Sequence, residues 1–323
     1  MNRFLYLVIM VLAVASCSVV DSIANPTTAP PMDTLPEVAT TSSSAPRPSP
    51  TMPEALPANL CESFGEPTAV GTVTLDEVVE ASGIAASRQY PETIWMHNDS
   101  GGGPFVYATG LDGSNLGRFE LDAPAFDWED MAIGPGPDPD RDYLYLGDIG
   151  DNLHFRPAVT VYRIAEPLPD PAGGDVVEVA RFNLAYPEPG FDSEALMVDP
   201  ITGDILLVTK GSAGEPAQIY RALAGELVDG GLTQMNQIGT FNLEEGAFVT
   251  AADIDSTGAA VIFRGYNQVW LWERTDIGFA ATFASEPCRT PSTAEVQGEA
   301  IAFTEGFSYL TVSEGQNPDI NLV

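Results

Sequence analysis

Short apolar runs, most of them alternating and each set off by Gly, Pro, Asp or Asn, recur from about residue 70 to the C-terminal end of the chain. Helical periodicity is almost absent, so the pattern predicts strands joined by tight turns. One motif returns every 47 to 65 residues just ahead of an apolar strand: EASGIAAS at Glu80, DWEDMAIG at Asp127, DSEALMVD at Asp192, TAADIDST at Thr250 and QGEAIAFT at Gln297. Aligning Ser82, Glu129, Glu194, Ala252 and Glu299 brings the rest into register. Second strands follow as TIWMHND, YLYLGDI, ILLVTKG, AVIFRGY and SYLTVSE, then third strands FVYATGL, VTVYRIA, AQIYRAL, QVWLWER and DINLV. Fourth strands read LGRFEL, VARFNL, IGTFNL and AATFAS, and the fifth unit has none. VGTVTL, Val70 to Leu75, fits that missing place from ahead of the first unit. Units of four strands closed by a borrowed N-terminal strand predict an all-β fold, a five-bladed β-propeller. Six blades with one degenerate is the alternative, and needs another full unit of chain. Inserts such as GPGPDPDRD and PLPDPAGGD read as surface turns.

The first residues follow other rules. A basic start, Asn2-Arg3, precedes an almost continuous apolar run from Phe4 to Val14 that ends in Val14-Ala15-Ser16-Cys17. Its length and flanks suit a secretion signal rather than a membrane span. Val14 to Cys17 resembles the lipobox of bacterial lipoproteins, which implies lipidation of Cys17 and residence on the extracytoplasmic face of a bacterial envelope. An ordinary signal peptide with an incidental cysteine is the other reading. Pro, Thr, Ser and Ala then dominate to about Ala58, a composition with little to bury and prolines that deny it a ladder, which predicts an extended tether. The expected organisation is a signal over 1–16, a lipid-anchored tether over 17–58 and the propeller over 59–323.

Export bears on the two remaining cysteines, Cys61 and Cys288. An oxidising compartment favours a disulfide between them; two free buried thiols are the alternative, since spacing does not give Cα separation. Strand counting puts the two near opposite faces, so 62–69 has to run back along the edge for the sulfurs to meet. Charge narrows the partners. With 46 acidic and 13 basic residues the formal charge is −33, which opposes nucleic acid and other polyanions and suits cations, neutral ligands or basic partners.

In a propeller the first strands line the axis, so Ser82, Glu129, Glu194 and Glu299 are expected to converge at one mouth, with Ala252 interrupting the set. Converging carboxylates take up protons or hold a cation. Oxygen ligands without His or Cys favour Ca²⁺ over zinc. Alternatively each glutamate binds backbone amides of the next blade and locks the blades together. Loops after the second strands should share that rim: His97, Asn98 and Asp99; Asp148, Asp151, Asn152 and His154; Lys210; Arg264, Tyr266 and Asn267; and Glu314 and Asn317. His97, His154, Lys210 and Arg264 are the candidates for acid–base chemistry or anion binding, and each can equally be a satisfied or solvated loop residue.

The ordered set EASGIA, MHNDSGG, DWEDMA, SEALMV, GEAIAF and TVSEG resembles the SdiA-regulated family of bacterial five-bladed propellers, and more loosely the calcium-dependent apyrases and esterase-like phytase propellers. The apyrase resemblance implies one axial calcium held by a first-strand ring running Ser, Glu, Glu, Ser, Glu; here Ala252 departs from it. The SdiA-regulated resemblance implies no reaction. No G-x-S-x-G, P-loop or H-E-x-x-H occurs. Three functions remain in order: a tethered module binding a small-molecule, glycan or protein ligand as a monomer; a calcium-dependent phosphoester or phosphoanhydride hydrolase; and a glycoside hydrolase.

Overall fold

The computed structural model describes residues 60–323 apart from Val177, Pro189 and Ala213. The signal segment, Cys17 and the tether lie outside the described residues. Five sheets follow one another along the chain, and in each the first three strands are antiparallel neighbours in sequence order. Their first strands are Ala81–Ala86, Trp128–Pro135, Ser193–Val198, Ala251–Ile254 and Gly298–Phe303. These five pack in a closed ring, each against the next and the last against the first, so the fold is a five-bladed β-propeller. Such strands are walled on both faces, which is why they read as continuous apolar runs and why nearly every residue in them is buried. Apolar clusters fill the spaces between blades. That between blades three and four, for example, packs Met197, Val208 and Ile219 against Phe263 and Trp272.

Closure is as expected: Thr68–Thr72 pairs antiparallel with the last strand, Asp319–Leu322, and completes blade five. Blade four differs from the reading above. AATFAS is not its outer strand. Ala280–Ala284 is a short α-helix entered through Phe279 in the left-handed region (φ 66°), and Phe279 and Phe283 stack into the blade three–four core. The outer strand is Cys288–Thr290, paired with Gln268–Glu273. That shift answers the closure problem. Leu60–Glu62 forms a 3₁₀ turn against this strand, and Cys61 bonds to Cys288 with a Cα–Cα separation of 6.1 Å. Two inserts are also more than turns: Gly174–Val176 and Leu232–Gln234 add parallel fifth strands to blades one and two.

The disulfide closes a loop spanning 227 residues, and in the chain-entropy account its stabilisation is near the top of the usual range, about 5 kcal/mol. Replacing both Cys61 and Cys288 with serine is expected to lower urea-unfolding stability by roughly 2–5 kcal/mol. A change below experimental error would show that strand pairing alone holds the ring shut.

Candidate functional site

Acids enter the axis at the start of the first strands of blades two, three and five, where a bulge in the pairing, also present in blade one, turns the entering residues toward the mouth. Two kinds of carboxyl group result. Asp130 is fully enclosed: Oδ1 accepts the Met131 amide, at 2.8 Å, while Oδ2 accepts the amides of Leu196 (2.9 Å) and Ala252 (3.2 Å). It therefore ties blades two, three and four together at the axis. Asp253 does the same between blades four and five, taking the Phe303 amide at 2.8 Å. The blade lock is thus real, but it is made by these aspartates and not by the glutamates aligned above. Ala252 is explained as well, because that strand contributes its amide to Asp130.

The second kind faces the mouth. Ligand oxygens of Asp99, Asp127 and Glu129 lie within 4.8 Å of one another, and so do those of Glu129, Asp192 and Glu194. Glu129 belongs to both groups, is 6% exposed, and receives no hydrogen bond on its carboxylate among the described residues. Among the described residues Glu194 is bound only by Lys210, Nζ to Oε1 2.6 Å. The cluster has oxygen donors alone, and such a set can hold a metal ion. Its loops are built for close approach. A Cβ at Gly150 would collide with Glu129 Oε1 and Asp127 Oδ2. Asp148 accepts the amides of Phe126 (3.2 Å) and Asp127 (3.3 Å) and is held by Arg156 at 2.8 Å, while the Asp151 amide donates to Asp192 Oδ1 at 2.7 Å.

Burial first, then the charges of neighbouring acids, pushes the Glu129 carboxyl far above its ordinary range. Asp127 is raised to about 6, by burial and then by Asp99 and Asp192. For Glu194 burial outweighs the opposing charge of Lys210, and its carboxyl also rises. Lys210 moves up too, since Glu194 more than offsets burial. Glu299 stands beside the cluster: burial and a hydrogen bond with Glu314 raise it. Ser82 is committed elsewhere, its Oγ donating to the Glu129 carbonyl across the blade one–two boundary.

Several expected rim residues are not on the rim. His97 is fully buried, its Nδ1 donating to the Asn98 carbonyl at 2.9 Å and its ring edge-on to Trp128. Nε2 lies near the Asp130 carbonyl but outside hydrogen-bonding geometry, and burial lowers the imidazole below its usual range, so it is neutral. Arg264 is 2% exposed, bonded to Glu295 and to the carbonyls of Ala300 and Val312; it fastens blade four to blade five and is closed to an anion. Asn98 accepts two backbone amides from Val79 and Glu80 and caps a loop. Asp148 and Asp151 are likewise buried loop buttresses, Asp151 taking the amides of Phe155 and Arg156. Backbone groups engage all five: Asn98, Asp148 and Asp151 accept main-chain amides, while His97 and Arg264 donate to main-chain carbonyls. His154, Asn152, Tyr266 and Asn267 remain accessible. His154 hydrogen-bonds the Gly190 carbonyl at 2.7 Å and shares an open groove with Asp192 and Lys210.

Asp127 and Asp192 were not among the ligands read from the alignment, although each lies two residues before an aligned glutamate. An apolar ridge was also missed. Phe126, Leu153 and Phe155 are exposed beside the acids, with Phe126 and Phe155 edge to face at 6.4 Å.

No family model and no curated protein matches the chain. Among solved structures it is similar to a streptogramin B lyase structure, at 10% identity and TM-score 0.40 over 79% of this chain and 96% of that one. It is also similar to a chain in the crystal structure of a mitotic checkpoint complex, at 13% identity and TM-score 0.36 over 74% of this chain and 60% of that one. At such identities neither likeness bears on chemistry.

With raised folded-state values, Asp127, Glu129, Glu194 and Glu299 favour folding while protonated and cease to as they ionise. In chelator, the melting temperature is expected to fall as pH rises from about 5 through the Asp127 value of about 6 and beyond. Glu129→Gln should flatten that fall. A melting temperature that rises over this range would contradict the described environment.

Proposed function

We propose that the protein is a lipid-tethered envelope propeller that binds one calcium ion at its axial mouth and uses that face to recognise a ligand. The observation that carries the reading is Glu129: a nearly buried carboxylate in ligand range of four other acids, with no donor turned toward it. Asp99, Asp127, Glu129, Asp192 and Glu194 would hold the ion, with Glu299 adjacent. Calcium suits them because the donors are all oxygen and outnumber what a small octahedral ion needs. The cation would supply positive charge that, among the described residues, the mouth otherwise draws from Lys210 and, at Asp127, from Arg156. The exposed ridge of Phe126, Leu153 and Phe155 gives the same face an apolar contact surface, which favours recognition. Anchorage through Cys17 and the resemblance to the SdiA-regulated family belong to the same reading. The hydrolase reading is the weaker one. Of its candidates His97, His154, Lys210 and Arg264, the first and last are enclosed and Lys210 is paired with Glu194, which leaves His154 as the accessible acid–base group.

Calcium titration of the full chain after chelation, with thermal melts, tests this. One binding event and a higher melting temperature are expected, both lost in Glu129→Gln and weakened in Asp192→Asn. No heat and no shift, or unchanged affinity in Glu129→Gln, would overturn the proposal.

A further inference from the structure

Acids so outnumber bases in this protein that nearly every cation is captured. Among the described residues, every Lys and Arg except one pairs with a carboxylate or lies over an aromatic ring. Arg88 alone has no ion pair, no ring and no hydrogen bond to its guanidinium. Its charge reaches the buried carboxyls of Asp253 and Glu166, but it contacts neither.

Arg88 lies in the turn after the first strand of blade one, on the face opposite the acidic mouth. There it lines a cleft of about 390 Å³ between blades one and five. Ile94, Phe303 and Leu310 form apolar walls, and Glu92 and Glu305 stand exposed at the lip. The volume falls within the roughly 300–1,000 Å³ of small-molecule sites, which combine apolar walls with a few polar anchors. A free guanidinium presents a planar fork that matches a carboxylate, and the lip glutamates match an ammonium. A simple anion would also have to approach a domain of strongly negative charge, whereas a zwitterion feels no net repulsion.

We propose that this cleft binds a zwitterionic α-amino acid with an apolar side chain, its carboxylate on Arg88, its ammonium toward Glu92 and Glu305, and its side chain against Ile94, Phe303 and Leu310. The site is separate from the axial cluster and does not depend on calcium.

Titration calorimetry of the full chain in chelator with L-leucine and L-phenylalanine tests the assignment. The controls are 4-methylpentanoate, which lacks the amine, and 3-methylbutylamine, which lacks the carboxylate. One or both amino acids should bind at a single site, Arg88→Gln should weaken binding about tenfold or more at unchanged melting temperature, and both controls should bind more weakly. Three results would overturn the proposal: no binding of either amino acid, equal affinity in Arg88→Gln, or 4-methylpentanoate binding as tightly as leucine. The first two would leave Arg88 a solvated surface charge.

Discussion

The carboxyl group of Asp130 accepts amide hydrogens from its own strand and from the first strands of the next two blades. Most of the axial architecture depends on that contact. First strands entering a propeller axis carry amides with no neighbouring strand to receive them, and buried amides must find acceptors. An aspartate is short enough to stay inside the ring and has two oxygens to divide among donors. Asp253 repeats the arrangement toward blade five. Without a central acceptor the strands would leave amides unsatisfied in a dry interior, each a penalty of about 1–3 kcal/mol.

Once the aspartates meet the backbone's demand, Glu129, one position before Asp130, and Glu194 at the aligned position of blade three are released from it. Glu129 and Glu194 lie at the mouth with Asp99, Asp127 and Asp192, and among the described residues Lys210 pairs with Glu194 while the charge of Arg156 reaches Asp127. The same fold therefore contains acids whose role is structural and acids left electrostatically unbalanced, a single residue apart at Glu129 and Asp130. Burial acts in one direction on both, raising every one of these carboxyls for which it is the leading influence. The first kind has both carboxyl oxygens engaged by backbone amides, whereas the second kind faces the mouth.

The blades were legible in the sequence because each repeat states its turn chemistry and strand alternation locally. Closure by the N-terminal strand was legible for the same reason, since VGTVTL matches the outer-strand pattern. What failed depended on partners distant in sequence. AATFAS fits a four-residue alternation as readily as a helical turn, and the packing of Phe279 and Phe283 into the core with Phe263 and Trp272 goes with the helix. In DWED, nothing local distinguishes the acid that locks blades from the acid that faces the mouth; Asp130 is defined by amides 66 and 122 residues away. Arg264 resembled a rim cation because FRGYN ends a strand, yet its guanidinium runs beneath Gly298, where a Cβ would strike it.

The central claim is that the mouth carboxylates converge on a cation site while their neighbours hold the blades. Anomalous diffraction from crystals grown with a lanthanide in place of calcium tests it most directly. The account requires a single strong peak at the axis within about 2.3–2.6 Å of oxygens from Glu129 and at least two of Asp99, Asp127, Asp192 and Glu194. A mouth without a peak, with Glu129 protonated and hydrogen-bonded to a neighbouring carboxylate, would contradict it.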